Sequence, residues 1–200
     1  MTRHARVIDV SGLPTFAFGN RSILWWGTMG LIAIEGTVFA MAIVSYVYLR
    51  GRVTEWPPNM EAPGLFWGTL NLLIMLASAA PNQWTKVQAE KLNRRRTLIG
   101  LLICLAFGLA FLTVRIFEFG ALNTRWDASA YGSIVWVLLG LHTAHLLTDY
   151  VDSAVLTLVL FVKPSPKRFV DVSENAFYWY FVVLSWIPIY VVLYFGPWLL

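Results

Sequence analysis

The chain has 200 residues, of which 58% are hydrophobic and 13% charged, with a mean hydropathy of +0.64. That composition excludes an ordinary soluble globular domain and identifies a membrane protein. The net charge of +4 does not make it a nucleic-acid binder, because its basic residues sit in short clusters beside apolar runs, where anionic headgroups attract them.

The first segment, 1–22, carries Arg3, His4, Arg6 and Arg21 and is expected to lie in the cytoplasm. No cleavable signal peptide is evident, since the first apolar run begins near Ile23 and continues too long for the apolar region of a signal. The runs at about 23–49, 64–84, 97–119, 131–161 and 176–199 each supply the roughly 20 residues needed to cross the hydrocarbon core. An all-α polytopic bundle of five transmembrane helices over 23–200 follows, because backbone polar groups in lipid must be satisfied within helices. Its short connections favour one bundle over two domains.

The first span carries Glu35 about halfway along, with no charged neighbour in its own helix within two turns. A carboxyl so placed is expected either to bond to a neighbouring helix or to handle protons. After the second span comes the cluster Lys86, Lys91, Arg94, Arg95 and Arg96; after the fourth come Lys163, Lys167 and Arg168. With Arg3, Arg6 and Arg21 these make eleven of the fifteen basic residues, against Arg50, Arg52, Arg115 and Arg125 at the other ends, so the N-terminus is expected inside.

In the third span Cys104, the only cysteine, reads as a small buried apolar side chain. Arg115 and Glu118, three residues apart, suggest an ion pair anchored at the interface. The fourth span bears the stripe His142, His145, Asp149 and Asp152, which shares one helix face. Such a stripe is expected to meet other helices, a partner, lipid headgroups or water, with a proton path as the competing reading. Two histidines at i and i+3 cannot reach one iron from opposite sides, and His4 is the only other, so no metal or haem is expected on this chain. The tryptophans 25, 26, 56, 67, 84, 126, 179 and 198 fall near span ends, as an interfacial belt does. Without a phosphate loop or a nucleophile with a matching base, an autonomous enzyme has little to work with. A free-standing proton-coupled transporter, relaying through Glu35 and the His142 to Asp152 stripe, is a possible reading from these residues alone.

In order along the chain, Glu35, Phe39 and Tyr46, then Trp56-Pro57-Pro58, then Asn71, Ser78, Trp84 and Arg94 resemble subunit III of the haem–copper oxidases. The resemblance continues through Gly108, Phe111 and Glu118, through Tyr131-Gly132-Ser133 and His142-x-x-His145, and through Tyr178-Trp179-x-Phe181-Val182, Trp186, Tyr190 and Tyr194. Seven-helix members of that family have two further helices before the one bearing the glutamate, so this chain resembles the five-helix form. The resemblance implies a non-catalytic subunit of a proton-pumping terminal oxidase in a bacterial cytoplasmic membrane. It would pack on subunit I alongside subunit II, hold phospholipid, and leave haem and copper to its partners. A nitric-oxide reductase or a quinol oxidase is the alternative host complex. The interface or lipid candidates are Glu35, Trp56, Asn71, Trp84, Arg94, Arg95, Arg96, Arg115, Glu118, His142, His145, Asp149, Asp152, Tyr178 and Trp179. Departures are Arg115 for a common Gln, Trp84-Thr85-Lys86-Val87 for Trp-x-His-His, Asp149 for a usual Gly, and Tyr180 and Val183 for His and Asp.

Overall fold

The computed structural model describes residues 16–58 and 61–199. The N-terminal residues 1–15, with Arg3, His4 and Arg6, lie outside the described residues, as does the side chain of Trp198. Five helices are long and apolar enough to cross a membrane. They are α1 (Ile23–Arg50), α2 (Leu65–Glu90), α3 (Arg94–Gly120), α4 (Ala130–Val162) and α5 (Pro166–Tyr190). A π-helical turn, Val191–Phe195, carries α5 on into Gly196–Leu199.

Local chemistry sets the helix ends. The side chains of Ser22, Asn93 and Ser129 accept from the backbone N–H of Leu24, Arg96 and Gly132, capping α1, α3 and α4, and Pro166 opens α5 where its missing N–H is harmless. α2 runs past Trp84 to Glu90, and α5 starts ten residues ahead of its expected apolar run at 176. The reason is that hydropathy marks only the lipid-facing stretch, whereas the polar turns Lys86–Glu90 and Arg168–Asp171 are held by their own ion pairs at i,i+4 and i,i+3.

Burial differs sharply along the bundle. α1 is the least covered span, with 11% of its apolar window buried, and α5 the most, with 44%. α5 touches α1, α2 and α4, α3 lies between α2 and α4, and α1 rests mainly on α4 and α5. Glycines permit several of the close approaches: a Cβ on Gly68 of α2 would strike the Tyr194 ring, and one on Gly108 of α3 would strike the Tyr150 ring of α4. Arg94 ties the basic-loop end together by donating from Nη2 to the Phe161 carbonyl near the end of α4 at 2.6 Å. At the far end the Trp56 ring sits edge-on between Tyr46 and Tyr131, with centroids 5.4 and 4.9 Å away.

Candidate functional site

Polar side chains gather in two places. The first is sealed in the middle of α2, α3, α4 and α5. Arg115 and Glu118 are 1% exposed, so they do not form the interfacial anchor expected from their spacing. The pair exists, with Arg115 Nη1 2.9 Å from Glu118 Oε2, but its N–H is not aligned along that contact and the attraction is ionic. Glu118 also accepts from Asn71 Nδ2 at 3.0 Å and from the Tyr194 hydroxyl at 2.6 Å. Arg115 lies 4.0 Å from the centre of the Trp186 ring, and its Nη2 is 3.1 Å from His142 Nδ1. A guanidinium only donates, so Nδ1 accepts, and Nε2 therefore donates to the Val182 carbonyl at 3.0 Å. Four helices thus enclose one buried ion pair, with Arg115 Nε and Nη1 left without an aligned acceptor, and the arginine counted among the outer charges of the sequence is internal.

The second place is open. Between α1, the second half of α4 and the first half of α5 runs a groove of about 640 Å³. Glu35 stands at its inner end, accepting from the Tyr178 hydroxyl at 2.6 Å and facing His145 Nε2 at 3.5 Å. His145 Nδ1 is 2.7 Å from the Leu141 carbonyl of its own helix, which fixes the ring. Farther along, one amide joins both aspartates: Asn175 Nδ2 donates to Asp149 Oδ1 and to Asp152 Oδ2, each at 3.1 Å, while Asn175 Oδ1 accepts from Ser153. The stripe His142, His145, Asp149, Asp152 is therefore divided. His142 turns into the sealed centre, and the other three face the groove side.

The remaining candidates scatter. Trp179 donates from Nε1 to Ser78 Oγ at 3.0 Å and stacks on Phe111, and Trp56 is 7% exposed, so neither belongs to a surface belt. Trp26 and Trp126 do lie on the surface, at 63% and 61% exposure. Trp84 is exposed and enters neither polar group, and Arg95 and Arg96 are exposed beside the bound Arg94. Cys104 is half-buried, with Sγ 3.7 Å from Thr85 Oγ1. Sequence reasoning missed Asn175. The signal was an amide three and four residues ahead of Tyr178 and Trp179, on their side of α5. Among the described residues no three His, Cys, Asp or Glu side chains come together in the manner of a metal shell.

The family model for cytochrome c oxidase subunit III matches residues 22–198, a stretch that takes in all five helices. Among curated relatives, "Cytochrome c oxidase subunit 3" of Alkalihalophilus pseudofirmus is 26% identical over 95% of this chain and 97% of its own length. The protein of that name from Thermostichus vulcanus is 24% identical over 84% of this chain and 85% of its own. That from Tachyglossus aculeatus aculeatus is 29% identical over 70% of this chain, a match that spans only 54% of the relative.

Proposed function

The chain belongs to the cytochrome c oxidase subunit III family, and from that premise we propose that it is the non-catalytic membrane subunit of a proton-pumping haem–copper terminal oxidase. It packs on the catalytic subunit I, beside subunit II, retains phospholipid at that contact, and supports complex stability and proton uptake. Haem and copper sit in those partners. The complex lies in a bacterial cytoplasmic membrane with the basic loops of this chain inside.

The observation that carries the reading is the family match through every span, and the polar chemistry agrees with it. The most tightly bonded ionisable groups, Arg115, Glu118 and His142, are consumed by one another and by neutral partners, which suits a rigid scaffold. The thinly covered α1 offers a surface where lipid or a partner subunit would rest. Arg95 and Arg96 supply exposed cations for headgroups at the basic-loop end.

The test is to pull down the tagged chain from its native membrane in a gentle detergent, identify what accompanies it by mass spectrometry, and record a reduced-minus-oxidised spectrum. A large haem-bearing subunit is the expected companion. Bands of haem a with a copper A centre fix the complex as a cytochrome c oxidase, and haem b with non-haem iron moves the chain to a nitric-oxide reductase. A colourless solitary protein overturns the reading.

A further inference from the structure

Asp149 stands where two spaces meet. On one side is the groove, which runs from Leu24 to Glu35 along α1, a rise of about 16 Å and so about half the hydrocarbon thickness. On the other side is a narrow, incompletely enclosed cavity between α2, α3, α4 and α5, whose walls include Ser78, Cys104, Asp149, Ser153, Asn175 and Trp179. The cavity offers about 30 Å³ to the centres of water molecules, where about 10–15 Å³ suffices for one.

Its walls are polar enough to hold one. Ser78 Oγ accepts from Trp179 and donates to the Met75 carbonyl, which leaves it an acceptor lone pair. Asp149 uses one oxygen for Asn175, and its other takes no protein donor among the described residues. Two to four such partners distinguish a hydrated cavity from a dry apolar one. The groove has the same character. Glu35, Asp149, Asp152, Asp171 and Glu174 line it with a single arginine, Arg168, which is bound to Asp171. Acyl chains cannot solvate carboxyls at that depth, whereas water can.

We propose that the interior cavity is a resident-water site and that the acidic groove is its aqueous entry, with the Asp149 side chain as the partition between them. The ligand is water, taken from the basic-loop side. Proton exchange with the bundle interior, where it occurs, passes this carboxyl, which together with Asn175 lines both spaces, with Cys104 and Ser153 on the cavity side and Asp152 and Glu174 on the groove side. The sealed Arg115 centre is outside the route.

Radiolytic hydroxyl labelling of the full chain in its native membranes tests this, because side chains beside a bound water are oxidised ahead of equally buried dry ones. Trp179, at 6% exposure, is expected to label faster than Trp186, at 0% and away from the cavity, and the position-104 variants separate cavity water from that difference in exposure. Equal, slow labelling of both overturns the proposal. Cys104→Leu fills the cavity and should abolish the fast labelling of Trp179, whereas Cys104→Ser should keep it; fast labelling that survives the leucine puts the water elsewhere. Asp149→Leu should remove labelling of Trp179 while leaving that of Tyr178 on the groove side, and Asp149→Asn should keep both. If Trp179 labels unchanged in Asp149→Leu, entry is not past this residue.

Discussion

The sealed centre and the open groove are built from similar parts, a carboxylate, a histidine, a tyrosine and an asparagine in each, yet they end in opposite states. In the centre every helix but α1 contributes, and Glu118 receives Arg115, Asn71 and Tyr194 with no solvent access. In the groove Glu35 has one short bond, from Tyr178, and a loose contact with His145, and its side chain is 23% exposed. The difference is enclosure. A carboxylate surrounded on all sides becomes part of the frame, and the same group with one open side stays free to exchange partners.

The comparison can be broken most forcefully at Arg115. Replacing it with leucine strands Glu118 in the core and is expected to cost about 3–5 kcal/mol, the usual penalty for leaving a buried charge alone. Thermal unfolding in membranes and the amount of chain accumulated both read that loss. The double variant Arg115→Leu with Glu118→Leu should recover much of it, since no charge remains unpaired. A smaller effect is expected at Gly68, where valine drives Tyr194 away from Glu118 at about 1–3 kcal/mol, measured as a lowered melting temperature. Tyr178→Phe removes the short bond to Glu35 and should lower stability by only about 1 kcal/mol, while weakening retention of α1 against α5 in detergent, read by protease access to α1. Smallest of all, Arg95→Gln with Arg96→Gln should leave the melting temperature nearly unchanged, within about 0.5 kcal/mol, and reduce binding of anionic lipid as measured by native mass spectrometry. A drop at these two positions comparable to Arg115→Leu would erase the distinction between frame and surface.

Much of the fold was legible. Five apolar runs became five helices with starts at α1 and α4 within a residue of expectation, because length and hydropathy are what a bilayer selects. The start of α5 was not, because its first turns are polar and their helicity comes from Ser165–Pro166 and the Arg168–Asp171 pair. Within the site, the spacing of Arg115 and Glu118 gave the pair correctly and its environment wrongly. Intrahelical geometry is local, whereas burial depends on Asn71, His142 and Tyr194, which lie on three other parts of the chain. The same limit explains the stripe on α4. One helix face of about 80° can serve two different neighbours, and no periodicity reveals which residue faces which. The partner of Asp149 and Asp152 was hidden for a further reason, since an asparagine at the start of an apolar run carries no charge to draw attention.

The bond between Glu35 and Tyr178 joins residues 143 positions apart, and the same carboxyl's contact with His145 also reaches far down the chain. At about 5–20 residues per second of synthesis, Glu35 is made roughly 7–30 s before Tyr178. Until α4 brings His145, the first helix carries a mid-membrane carboxyl with no mate of its own chain. The helix made first can therefore complete its packing only once α4 and α5 are both in place, and its one acid needs shelter until His145 and Tyr178 arrive.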